Sequence, residues 1–239
     1  MLTAADRQTL ARGKVRDTGY FLGEFYEAHR AVTAAGFRVA FATPGGRVAP
    51  VDPESLDPKY WEAHPAWLAE AKAFVATDPG TRSPMTLDAA LAAEQRFAAL
   101  VVPGGQGVMS DLVNDPTLHA LVERFADNDR PIGLICHAPA LLAHLPSDAR
   151  SLRGRKVTSV SGFEEFYIES FVMHGRARER GIGKRLRKAG FVHVAAGPGK
   201  PFATRDRNLV TSQNPFSGDA FAQHFTAALA QWRDQASDR

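Results

Sequence analysis

Short, almost wholly apolar runs alternate along this chain with longer segments in which apolar residues recur every three to four positions. Residues 37–42 (Phe-Arg-Val-Ala-Phe-Ala) read as a strand closed by the turn Pro44-Gly-Gly. Residues 97–102 (Phe-Ala-Ala-Leu-Val-Val) read as a second, closed by Pro103-Gly-Gly, and residues 131–136 (Pro-Ile-Gly-Leu-Ile-Cys) as a third. Residues 156–160 and 208–211 supply two more. Runs that are apolar on both faces belong in a parallel sheet covered by helices on each side. Between them, residues 23–35 carry Phe25, Ala28, Val32 and Ala35 at helical spacing, and residues 117–126 carry Leu118, Leu121, Val122 and Phe125 likewise. Residues 139–145 and 217–232 complete the helical set, with Ser217 as the expected N-cap of the last helix. This alternation predicts an α/β fold, a doubly wound, mostly parallel sheet sandwiched by helices.

Two stretches interrupt the pattern. Residues 50–96 look like an inserted helical flap, and residues 162–192 like a second helical insertion. With neither repeats nor long linkers, residues 1–239 are expected to form one decorated domain. A doubly wound sheet begins with a strand, yet only Met1-Leu-Thr precedes the polar segment Asp6 to Asp17. The first strand is therefore expected to be trimmed, or the true start to lie upstream.

Composition narrows the function classes. The chain is 44% hydrophobic and 23% charged, as soluble globular proteins are. No run approaches the roughly 18 apolar residues of a membrane span, and the start lacks a basic segment followed by an apolar one. One cysteine makes no internal disulfide and no multi-thiolate metal site, which favours a reducing cytoplasm. The net charge of +3 is small, and the basic run from Arg176 to Lys188 reads as a solvated helix face. No aromatic stacking residues accompany it, so neither a nucleic acid nor a membrane is expected as a partner. The eight histidines show no paired helical spacing, and no phosphate-binding glycine loop is present. No metal and no cofactor are expected.

The lone cysteine, Cys136, falls at the abrupt end of the third strand, immediately before a helical segment. Open α/β sheets bind ligands at that carboxyl edge. A following helix amino terminus lowers a thiol pKa, and the backbone N–H of His137 is suitably located to hold an oxyanion. The plain alternative is a small buried core residue. The neighbouring turn Gly104-Gly105-Gln106-Gly107 lets the backbone approach a bound group closely, which favours the catalytic reading.

The runs Ala99-Leu-Val-Val-Pro-Gly-Gly-Gln-Gly and Gly133-Leu-Ile-Cys-His-Ala-Pro resemble those of the PfpI/DJ-one superfamily, relatives of class I glutamine amidotransferases. Lys14-Val-Arg-Asp-Thr-Gly-Tyr-Phe-Leu-Gly-Glu, the Pro44 turn with the residues after it, and Arg205-Asp-Arg-Asn-Leu-Val-Thr resemble its heat-shock-protein-31-like branch. The resemblance spans nearly the whole chain in order. It implies a flavodoxin-like fold and a homodimer. It also implies a glutathione-independent glyoxalase that converts a small carbonyl substrate, methylglyoxal, to lactate. Cys136 matches the nucleophile, Glu24 the buried glutamate beside its sulfur, and His137 the triad histidine. Glu165 is the chosen third member, with Glu164 and Glu169 open as alternatives. Gly104, Gly105 and Gln106 would form the oxyanion and substrate-binding turn.

For Glu24 the plain alternative is an exposed helix carboxylate, a place Glu27 suits better; for the later glutamates it is a surface carboxylate. Relatives carry histidine where this chain has Gln106, which cannot carry a proton at neutral pH. Other readings are a holding chaperone with an exposed apolar surface around Trp61 and Trp67, amidase or peptidase acyl transfer, and redox sensing at Cys136.

Overall fold

The computed structural model describes residues 1–146, 149 and 151–237. A short antiparallel hairpin of β1 (Arg7–Thr9) and β2 (Val15–Asp17) precedes helix α1 (Leu22–Ala34). Then follow β3 (Ala42–Thr43), α2 (Pro65–Thr77), α3 (Pro79–Arg82), β4 (Met85–Thr86) and α4 (Leu87–Ala92). The central part runs β5 (Leu100–Val102), α5 (Pro116–Asp127) and β6 (Ile132–Ile135), continuing into a 3-10 segment at Ala138–His144. The last part comprises β7 (Lys156–Val157), α6 (Gly162–Tyr167), α7 (Ile182–Lys188), β8 (Val192–His193), β9 (Ala203–Asp206), β10 (Leu209–Ser212) and α8 (Gly218–Ser237).

The main sheet has the order β5-β6-β10-β9. β5, β6 and β10 are parallel, with Leu100 and Leu209 both opposite Ile132. β9 joins antiparallel through the turn to β10, an element absent from the sequence expectation. All four residues of β6 are buried, so both faces of this strand are covered. On one face α8 lies directly on the strand: a Cβ on Gly133 would come within 2.6 Å of Phe221, so only glycine permits that contact. Helix α1 packs on α8, and α5 against β6.

The caps follow the sequence in part. Asp115 accepts from Leu118 N–H at 2.9 Å and precedes Pro116 at the first helical position of α5. Ser161 and Glu164 form a capping box at α6. Ser217 does not cap α8 with its side chain; its hydroxyl donates to Asn214 Oδ1 at 2.7 Å and accepts from Phe202 N–H at 3.0 Å.

Two further expectations are corrected. Of residues 37–42 only Ala42, with Thr43, joins a ladder, pairing with β4. Alternating apolar residues make a strand only when a neighbouring backbone is present to take its hydrogen bonds. Here a groove of about 600 Å³ runs beside Phe37, Val39, Ala99 and Val101. The first two residues close one end of it: the Met1 amino group donates to Val101 O at 2.7 Å, and Leu2 N–H to Ala42 O at 2.9 Å. The apolar surface expected around Trp61 and Trp67 is also not there. Trp61 is buried in an aromatic cluster with Tyr20, Phe25 and Phe41, its Nε1–H donating to Ser55 O at 2.9 Å. Trp67 is half-buried under the Arg30 guanidinium, 4.4 Å from the ring centre. The exposed large apolar residues lie elsewhere, chiefly Phe163, Phe166, Tyr167, Phe171 and Phe216.

Candidate active site

β5 and β6 end side by side, and the turns that leave them build the floor of a pocket. Cys136 follows β6 directly with φ of 59°, a left-handed conformation that a non-glycine residue adopts at a cost of about 1–3 kcal/mol. Hydrogen bonds on both sides hold the strain: Cys136 N–H donates to Ser212 O at 2.8 Å, and Cys136 O accepts from Val160 N–H at 3.0 Å. The result is a sharp strand-to-helix elbow like that of α/β hydrolase nucleophiles.

Glu24 reaches the elbow from the first turn of α1 and is 3% exposed. Its Oε2 accepts from Gly104 N–H at 2.8 Å, while Phe21 N–H donates to Gly104 O at 3.0 Å, so helix start and glycine turn are stitched together. A Cβ on Gly104 would lie 2.7 Å from Glu24 Oε2 and 2.8 Å from Cys136 Cβ, so that contact requires glycine. Gly105 has φ of 105° and packs its Cα against the Gly19–Phe21 backbone. Among the described residues its N–H meets no protein acceptor, and it lines the pocket beside Cys136.

Burial raises the Glu24 pKa from 4.5 to about 8, the Cys136 thiol and the Gly104 N–H drawing it partly back down. Its Oε1 is buried without a hydrogen-bond partner, which a neutral carboxyl tolerates better than a carboxylate. Burial also pushes the Cys136 thiol well above its ordinary pKa, and the adjacent Glu24 raises it further. The lowering expected from a helix amino terminus is therefore outweighed; the segment after the elbow is a seven-residue 3-10 turn. Only the His137 backbone N–H works in the expected direction.

His137 is buried and its pKa is lowered to about 4 by desolvation, so its imidazole is neutral at physiological pH. Nδ1 is 3.2 Å from Cys136 Sγ, and Nε2 is 2.8 Å from the Gln106 amide nitrogen. Gln106 Oε1 in turn accepts from Gln8 Nε2 at 3.1 Å. An amide that donates to Nε2 leaves the imidazole proton on Nδ1, directed at sulfur. Gln8, on β1, was not singled out from sequence; nothing local marks a polar residue of a surface hairpin as buried beside residue 106.

None of the three later glutamates is hydrogen-bonded to His137. Glu165 is buried and accepts from the Gly181 and Ile182 N–H groups at 2.9 and 3.4 Å, sharing only a small cavity with His137 and Gln106. Glu169 is held by Arg180, whose Nη2 is 2.7 Å away, and by Ala177 N–H. Glu164 lines the main pocket and accepts from Ser161 and Gly199 N–H and from Asn214 and Gln213. These bonds hold its carboxyl below the ordinary range despite burial. Its charge acts on both Cys136 and His137. Glu27, read as the exposed carboxylate of α1, is instead largely buried against the start of α8, its pKa raised to about 8 by desolvation.

The pocket has a volume of about 360 Å³, with Cys136, His137, Gly105 and Gln106 at its base. Among the described residues no three His, Cys, Asp or Glu side chains are grouped as metal ligands would be, and no helix is long and apolar enough to cross a membrane.

The DJ-1/PfpI family profile matches residues 23–228. Protein/nucleic acid deglycase HchA of Escherichia coli (strain K12 / DH10B) is 27% identical over 244 residues, spanning 96% of this chain and 82% of the relative. The Francisella tularensis Rapid Encystment Protein 24 KDa superposes with a TM-score of 0.78 at 21% identity, over 95% of this chain and 96% of that one. Glyoxalase III of Candida albicans superposes with a TM-score of 0.74 at 19% identity, over 95% and 94%. A profile match across most of the chain, on a parallel sheet with a strained Cys-His elbow, establishes the relationship: this chain belongs to the DJ-1/PfpI family.

Proposed function

We propose that this protein is a cofactor-free enzyme acting on small reactive carbonyl compounds, of the glutathione-independent glyoxalase type, with Cys136 as nucleophile. The observation that carries the reading is the buried Glu24 carboxyl, raised to about 8, beside a thiol on a strained elbow. A base poised near neutrality is what proton transfer between adjacent carbons needs. The Cys136 sulfur adds to the aldehyde carbon of methylglyoxal, and the Gly105 and His137 N–H groups stabilise the resulting oxyanion. After protonation this is a hemithioacetal. Glu24 removes the hydrogen from the former aldehyde carbon and returns a proton to the neighbouring carbon, giving a 2-hydroxy thioester. Water cleaves the thioester, releasing lactate and the thiol. The net change is addition of one water to methylglyoxal, without oxidant or reductant.

Acyl transfer is less well supported. An amidase-type histidine is oriented by a carboxylate, whereas His137 has Gln106 on Nε2 and sulfur on Nδ1. The name of the Escherichia coli relative favours a second reading, removal of glycation adducts, which the same thiol–carboxyl pair could begin by attack on the adduct carbon. Incubation with methylglyoxal, followed by chiral lactate analysis, tests the first reading. Wild type is expected to form lactate and Cys136→Ala none; a wild-type protein that forms no lactate removes the glyoxalase reading.

A further inference from the structure

The pocket above Cys136 is far larger than methylglyoxal requires. Its volume of about 360 Å³ falls within the range of roughly 300–1,000 Å³ seen for drug-sized ligands, whereas methylglyoxal has only five non-hydrogen atoms. Polar reactive groups gather at the base, and the walls are aromatic: Phe21, Tyr60 and Phe216 on one side, Phe163 and Tyr167 among the others. Phe21 meets Tyr60 edge-on with ring centres 4.9 Å apart, and Tyr60 lies 5.8 Å from Phe216, so three rings make a continuous apolar wall. At the mouth Phe163, Tyr167 and Phe216 are 61%, 49% and 44% exposed, leaving ring surface for a bound group to cover.

The charged residues that line the pocket are already committed to one another. Arg16 holds Asp52 through two nitrogens at 3.2 and 3.4 Å, and Asp52 also accepts from Thr18. Lys59 is paired with Glu54 at 2.7 Å and Asp57 at 3.1 Å. The Glu164 carboxylate is filled by backbone and amide donors. A carboxylated substituent would have to compete with these ion pairs for Arg16 and Lys59, whereas a flat apolar one would find ring faces.

We infer that this pocket selects 2-oxoaldehydes bearing an aryl or comparably bulky apolar group, such as phenylglyoxal, over methylglyoxal. This rests on the reactive-carbonyl reading above and names its substrate class. The aldehyde carbon meets Cys136 at the base, and the aryl ring lies against Tyr60, Phe216 and Tyr167. The overall step adds one water to phenylglyoxal to give mandelate: the carbon–sulfur bond formed by Cys136 is broken by water, and Glu24 carries the proton from one carbon to the next.

The test compares kcat/KM for mandelate formation from phenylglyoxal with that for lactate formation from methylglyoxal. The expected ratio for wild type is at least ~10, because even one extra methylene in an apolar pocket changes kcat/KM by roughly tenfold or more. In Tyr167→Ala and Phe216→Ala, both at the exposed mouth, the ratio is expected to fall by at least ~3-fold. Turnover of methylglyoxal with a ratio of one or less, or a ratio unchanged in both variants, overturns this inference while leaving the reactive-carbonyl reading standing. A second protein copy covering those rings gives that same result. Turnover of neither compound by wild type overturns both.

Discussion

Replacing Glu24 with glutamine should abolish turnover and, at the same time, make the protein more stable. An ordinary glutamate ionises near 4.5, and burial raises Glu24 to about 8. Because its folded pKa is raised, its contribution to stability is fully present below pH 4.5 and is lost as pH rises toward 8. At pH 7 the unfolded chain carries a carboxylate and the folded chain a carboxyl, so folding must take up close to one proton. Two and a half pH units at about 1.4 kcal/mol each make this cost about 3 kcal/mol; at pH 5 it is about 1 kcal/mol. Glutamine has the same shape, keeps an oxygen to accept the Gly104 N–H, and takes up no proton. Urea unfolding of wild type and Glu24→Gln, followed by fluorescence of the three tryptophans, measures the difference. The variant should exceed wild type by about 3 kcal/mol at pH 7 and about 1 kcal/mol at pH 5, with the denaturant slope unchanged. Glu27 is raised to about 8 as well, but it is present in both proteins and so largely drops out of the comparison. A variant no more stable than wild type at pH 7, or a gain that does not vary with pH, would refute the account of Glu24 as a desolvated carboxyl.

The same titration sets the rate profile. In the proposed reaction the Cys136–Glu24 pair must lose one proton, and with the thiol raised well above its ordinary value the pair's first loss falls near pH 8. Steady-state kcat/KM for the carbonyl substrate should therefore climb about tenfold per pH unit below 8 and level off above it; a flat profile from pH 6 to 9 contradicts this. At the glycine turn, Gly104→Ala would place Cβ 2.7 Å from both Glu24 Oε2 and Ile135 O. Those neighbours are held by α1 and β6, so the change should cost about 1–3 kcal/mol in urea unfolding and most of the activity; wild-type values for both would show that the contact is looser than described.

Much of the site was legible because it is written in short runs. An apolar strand that stops at Cys-His, and another that stops at Pro-Gly-Gly, fix an elbow and a glycine turn whichever tertiary neighbours they acquire. Residues 37–42 carry the same strand pattern, but most of them stay unladdered because a strand also needs a partner backbone, which no local pattern records. The late glutamates divide in the same way. The sequence left Glu164 and Glu169 open beside Glu165, and only the folded chain caps α6 with Glu164, brings Gly199 and Asn214 to it and brings Gly181 to Glu165.

The sequence by itself thus determined the α/β class and the position of the candidate nucleophile at the carboxyl end of a buried strand, while Glu24 entered as its acidic neighbour only through the family resemblance. Tertiary structure decided the protonation states. Residues 24, 104 and 136 meet at the base of the pocket with the Glu24 and Cys136 side chains almost fully buried, and that desolvation reverses the expected direction for the thiol and brings a carboxyl to about 8. It also decided that Gln8 and Gln106, rather than a carboxylate, hold His137. Strand runs and caps depend on neighbours within a few positions. A pKa depends on solvent exclusion and on charges that reach the site from anywhere in the chain.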